Sequence, residues 1–196
     1  MAIQAIQDKY VDEDVLLRLD PDKTYEVIDG ELVEMAPVGG LHHMIAGNIH
    51  DLIKLHVKVH KLGLVFMDSF IYLLSRDAEQ LRGSQIPDVS YIRKQDIPAD
   101  WEIRRPFPGA PTLAIEVVSP GDDPNLLLKR VRKYLEYGTH QVWVVFPDGK
   151  EVHQYRRGAD VIRVYTDADA MEIDDLFPGL TLTLTEIFAM PDLSEG

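Results

Sequence analysis

Two carboxylates stand in segments whose neighbours are nearly all apolar. Asp88 follows Pro87 in IPDVSYI, and Glu116 interrupts LAIEVV, which otherwise reads as a strand buried on both faces. A buried charge is costly unless it is paired or coordinates a cation. Two adjacent strands, each delivering one acid near its end, would form an oxygen-rich site suited to Mg2+ or Mn2+. Such an ion can bind a phosphodiester oxygen, offset charge in the transition state and acidify a water for attack on phosphorus. A nearby Lys or Arg would complete the site by steering the water or stabilising the pentacovalent phosphorus. The competing reading is structural: Asp88 caps a turn and Glu116 pairs with an arginine of the basic helix that follows.

The elements that must place these acids can be read from periodicity. Val11 to Leu19 is amphipathic, and Tyr25 to Met35 (YEVIDGELVEM) is split by Asp29-Gly30, a strong hairpin signal. Ile45, Ile49, Leu52, Ile53 and Val59 recur at helical spacing as far as about Lys61, with Gly63 as the expected stop. Extended segments follow at Leu64 to Ser75, Ile86 to Ile92 and Thr112 to Val118. Asp123 then supplies an N-cap and Pro124 the first position of a helix reaching about Tyr137, before Gly138. Gln141 to Phe146 (QVWVVF) is another buried strand, turned by Asp148-Gly149 into one near Val152 to Tyr155. A hairpin and short helix finish the chain as a polar tail. The expected class is α/β with a mixed sheet, in the core order helix, three strands, helix, strand. At 196 residues the chain suits one domain, 1–196, with its core at about 41–156 and an accessory helix and hairpin at about 11–36.

Composition narrows the chemistry. The absence of cysteine removes disulfides, thiolate nucleophiles and sulfur-ligated zinc, so a metal must sit on oxygen or nitrogen. No apolar run is long enough to span a bilayer, and the first residues lack a basic start followed by an apolar stretch, so the expected location is cytoplasmic, away from membranes. A net charge of -13 argues against nucleic-acid binding over the whole surface but leaves room for a local basic groove, for which KRVRK at 129–133 is the densest candidate. There is no G-x-S-x-G elbow, P-loop or dinucleotide glycine fingerprint. His56 and His60 have the i, i+4 spacing of a two-histidine metal site without a clear third ligand, which favours a solvated helix end. Ser119 is best read as the start of the SPGDDP turn.

The segments IPDVSYI, LAIEVVSP and KRVRKYLEYGTHQVWVVFP, together with YEVIDGELVEM and His42, resemble the Uma-two family of restriction endonuclease-like proteins within the PD-(D/E)XK nuclease superfamily. The likeness runs from about Tyr25 to Tyr155. It implies a restriction-endonuclease-like core and metal binding by Asp88 and Glu116. It further implies Mg2+ or Mn2+ as cofactor and DNA as substrate. The superfamily's third element usually stands two residues after the glutamate, where this chain has Val118. In the Uma-two pattern that lysine lies four residues before the aromatic matching Tyr134, which leads to Arg130, with Lys129 beside it. With Leu127, Val131, Tyr134 and Leu135 as the buried face, Arg130 falls on its flank and Lys129 near the solvated side. Arginine stays protonated, so it can clamp phosphate but not accept a proton. The resemblance also makes His42 a substrate contact and lets Glu26 or Glu31 reach the site from the hairpin. Two functions follow as expectations: a metal-dependent DNA endonuclease, and a nuclease-fold binding module that no longer cleaves, either of them a homodimer.

Overall fold

The computed structural model describes residues 11–20, 22–78, 80–167 and 169–192. Near the N-terminus, α1 (Glu13–Leu17) is capped by Asp12, whose side chain accepts from Val15 N–H. β1 (Tyr25–Ile28) and β2 (Glu31–Glu34) then form the expected hairpin. Asp29 (φ 55°) and Gly30 (φ 90°) both adopt the left-handed region, as a two-residue turn of the primed type requires.

α2 (Gly40–His60) buries Ile45, Ile49, Ile53 and Val57, one face at helical spacing. Its last turn is closed at Lys61, which takes the left-handed conformation, rather than at Gly63. Gly63 instead opens β3 (Gly63–Met67), where a Cβ would stand 2.0 Å from the Ile92 carbonyl oxygen. Glycine is needed there for close backbone approach.

The segment Leu64 to Ser75, expected as one extended run, divides between two sheets. β3 ends at Met67; Ser69 takes a positive φ; and β4 (Tyr72–Asp77) begins a hairpin with β5 (Gln80–Gln85). β5 also pairs with β1, giving a four-stranded sheet in the order β2-β1-β5-β4.

The second sheet adds β6 (Val89–Arg93), β7 (Leu113–Val117), β8 (Gln141–Phe146), β9 (Glu151–Arg156) and β10 (Arg163–Tyr165), in the order β10-β9-β8-β7-β6-β3. Only β7 and β8 run parallel, and α3 (Pro124–Glu136) makes their crossover, with Asp123 capping Asn125 N–H. The anticipated order of helix, three strands, helix and strand is therefore present as α2, β3, β6, β7, α3 and β8, with the β4–β5 hairpin inserted. The protein is a mixed α/β fold.

Strand alternation sorts the six-stranded sheet into two faces. Val89, Tyr91, Leu113, Ile115, Val117, Trp143 and Val145 pack with α2, while Ala114, Val142 and Val144 pack with Val131 and Tyr134 of α3. Beside α3, the four-stranded sheet lies against the same face: the Tyr72 hydroxyl donates to Ser90 Oγ at 2.8 Å, and Tyr72, Leu74, Ile92 and Phe107 form a shared cluster.

The expected polar tail is a correction. Met171, Ile173, Leu176, Phe177, Leu182, Leu184 and Ile187 are all buried in the α2 core, so the main core continues well past residue 156. The Asn48 amide of α2 fastens this segment by donating to the Ile187 and Ala189 carbonyls at 3.0 and 2.8 Å. Its short helix, α4 (Leu184–Ile187), has a capping box between Thr183 and Glu186.

Candidate functional site

The β6–β7 register pairs Val89 with Ile115, so Asp88 and Glu116 stand one step further on, opposite each other where β6 begins and β7 nears its end. Glu116 alternates with Ile115 and Val117, both committed to the α2 core, and so faces α3. The Val117 backbone N–H donates to Asp88 Oδ2 at 2.6 Å, tying the two segments together.

α3 brings two groups onto Glu116. Arg130 Nη2 lies 3.1 Å from Oε1 and 3.0 Å from Oε2, and the Tyr134 hydroxyl donates to Oε1 at 2.8 Å. Arg130 and Tyr134 are four residues apart, hence stacked on one helix face. Of the two basic candidates, the side chain that reaches Glu116 is that of Arg130, whereas Lys129 is exposed. The ion pair expected under the structural reading of Glu116 is present too, in the same place as the candidate site.

The N-terminal hairpin contributes more than the sequence pattern indicated. Glu26 on β1 is 1% exposed, receives Arg130 Nη1 at 2.7 Å on Oε2, and accepts from Ile86 N–H at 2.9 Å on Oε1. Glu31, across the turn, is exposed and pairs in register with Ile28; it is not part of this cluster. Of the two hairpin acids, the one with its side chain turned into the fold is Glu26. Strand alternation does not separate them, because Glu31 pairs in register with Ile28, which shares the Glu26 face of β1 opposite Tyr25 and Val27; Glu31 instead stands beside the exposed turn.

His42 is buried in the first turn of α2, with Nε2 3.1 Å from Asp88 Oδ2. It reaches an acid of the site. His43, exposed beside it, lies 3.3 Å from Asp68. Both contacts to Asp88 fall on Oδ2.

Electrostatics follow from this crowding of acids. Burial is the main cause that pushes the Glu116 carboxyl up to about 7, with the charges of Asp88 and Glu26 acting in the same direction and Arg130 and Tyr134 opposing. Burial disfavours the charged Arg130, but Glu116 and Glu26 outweigh it and hold the guanidinium well above its usual range. Burial likewise lowers His42, yet the Asp88 hydrogen bond and charge leave it raised.

The donor set suits a hard cation. It is built of carboxylate oxygens, and Mg2+ usually takes one or two carboxylates while keeping several waters. Among the described residues no group of three or more His, Cys, Asp or Glu is placed so that it could hold a metal ion. His42 Nδ1 and Arg130 Nε are buried without a hydrogen-bond partner among the described residues.

Elsewhere, the His56 and His60 rings lie 4.3 Å apart at the end of α2. Ser119 occupies the expected turn, its N–H donating to Asp122 Oδ2 at 2.7 Å. No helix among the described residues is long and apolar enough to cross a membrane.

A crystal structure of a putative nuclease of the DUF820 family from Anabaena variabilis superposes with a TM-score of 0.75 at 22% identity, covering 91% of this chain and 97% of the other. That likeness establishes the shared fold. No curated protein matches the chain. The family model of Uma2, described as a putative restriction endonuclease, matches residues 12–185. By that match across nearly its whole length, the chain belongs to the Uma2 family.

Proposed function

We propose that this protein is a divalent-metal-dependent endonuclease that hydrolyses DNA phosphodiester bonds, with Asp88 and Glu116 as the residues that hold Mg2+ or Mn2+. The observation that carries the reading is the convergence of Asp88, Glu116 and Arg130 at neighbouring strand ends. Family membership supports the nuclease class, and nucleases of this kind generally use divalent metals.

When bound, Mg2+ or Mn2+ supplies electrophilic stabilisation of a phosphodiester and acidifies water. The chain's own residues do the rest. His42 and the Val117 N–H fix Asp88 through Oδ2, which leaves Oδ1 for other work. Tyr134 and Arg130 orient Glu116. Arg130 is the group that would clamp a phosphate oxygen, and its permanent charge bars it from accepting a proton. Lys129 and Arg132, exposed on the side of α3 turned away from Arg130, offer cations to phosphates outside the site, a local basic face on an acidic protein. A cytoplasmic homodimer belongs to the same reading.

A second reading is favoured by one observation: Arg130 Nη2 contacts both Glu116 oxygens. In that reading the arginine replaces the cation, and the fold binds nucleic acid without cutting it. Nicking of supercoiled plasmid separates the two. Wild type should relax the plasmid with Mg2+ or Mn2+ but not with EDTA, and Asp88→Ala and Glu116→Ala should lose this. Equal behaviour of all three proteins would refute cleavage by this site.

A further inference from the structure

Glu26 comes from a hairpin outside the helix and strands that carry Asp88 and Glu116, yet it is among the least exposed acids in the protein. Its two oxygens serve different parts of the site. Oε1 receives the Ile86 N–H, two residues before Asp88, and Oε2 receives Arg130 Nη1. Arg130 Nη2 meanwhile spans Glu116 and lies 3.4 Å from the Ile86 carbonyl. The guanidinium is therefore held by acids belonging to two sheets.

This arrangement depends on arginine. A planar fork can present Nη1 to one carboxylate and Nη2 to another, whereas a lysine brings a single ammonium on a flexible stem. Arg130 is also a resident cation on an acid that a metal would use. Whatever fixes how its charge is shared between Glu26 and Glu116 also fixes how hard a metal must compete for Glu116.

We infer that Glu26 is a positioning residue: by holding Nη1 it draws part of the Arg130 charge away from Glu116 and thereby sets the affinity of the Asp88 and Glu116 pair for a divalent cation. The inference rests on the metal-site reading above. Neutralising Glu26 leaves Arg130 to Glu116 alone and removes one negative charge from the site. Both changes act against cation binding.

Two readouts on full-length folded protein test it. In Glu26→Gln, Mn2+ titration by calorimetry should show affinity reduced about tenfold or more, the range expected when a partner of a metal-holding group is lost. Without metal, nitrogen-15 spectra of the arginine side chains should show Arg130 turning slowly about its Cζ–Nε bond in wild type and faster in Glu26→Gln. Glu26→Asp keeps the charge but is one methylene shorter; it should also speed the rotation, and it serves if the glutamine variant fails to fold. Unchanged Mn2+ affinity with unchanged rotation would overturn the proposal. If wild type took up no Mn2+, the metal reading would fall, while the rotation rates would still decide whether Glu26 positions Arg130.

Discussion

The Arg130 guanidinium lies across the Glu116 carboxylate, with Nη2 at 3.1 and 3.0 Å from its two oxygens, while Nη1 reaches 2.7 Å to Glu26. One cation thus compensates two buried acids from different sheets. Removing it leaves both without a counter-charge, and breaking a buried pair from one side typically costs about 3–5 kcal/mol. Arg130→Ala should lose roughly that much stability in urea at pH 7, by the same rule. Arg130→Lys, able to satisfy one acid at a time, should lie between. A loss below about 1 kcal/mol in Arg130→Ala, the range of exposed pairs, would show that the network contributes little.

Stability should also depend on pH in a defined direction. Burial pushes the Glu116 carboxyl up to about 7 in the fold, against 4.5 ordinarily. Between those values the native state binds more protons than the unfolded chain, so stability falls as pH rises, by at most about 3 kcal/mol. His42 acts in the same sense. Its folded pKa is raised above 6.5, so its contribution is full below that value and is lost as pH climbs through the folded one. Urea midpoints measured from pH 4.5 to 8 should decline, and Glu116→Gln should flatten the part below 7. Parallel curves for the two proteins would contradict the assignment.

Asn48 gives a prediction about the fold alone. Asn48→Ala removes both hydrogen bonds to the Ile187 and Ala189 carbonyls, one part-buried and one exposed, at a cost of about 1–2 kcal/mol. Amide exchange should rise locally around α4 and leave the β6–β7 ladder protected. Uniform loss of protection would mean that the terminal segment and the sheet unfold as one unit.

Much of this architecture is legible in the residues, for reasons that differ by element. Asp29-Gly30 is explicit because both positions need a positive φ. LAIEVV and QVWVVF announce themselves as strands buried on both faces, and Asp123-Pro124 marks the start of α3. What escapes is equally physical. Leu64 to Ser75 is apolar enough to pass for one strand, and its break falls at Ser69, a residue that carries no strong turn signal of its own. β5, with the sequence QLRGSQ, has little strand propensity and is held by its pairing with β4 and β1. The buried faces after residue 170 are spread among acids and prolines, so they read as polar although Phe177 and Leu182 are wholly enclosed.

The site shows the same division. Asp88 and Glu116 stand out because charge in an apolar strand demands a reason, and helix geometry alone favours Arg130 over Lys129. Glu26 does not stand out: an acid in a short hairpin strand resembles any surface residue until the four-stranded sheet folds against the larger one. Its role depends on contacts 60 and 104 residues away in sequence, with Ile86 and Arg130, which no local pattern encodes.

The most direct test of the central claim is Mn2+ binding measured by titration calorimetry on wild type, Asp88→Ala and Glu116→Ala. Wild type should show one site per chain, and both variants should lose it while each stays folded. Uptake that persists unchanged in both variants would contradict the claim, as would a folded wild type that takes up no Mn2+ at all.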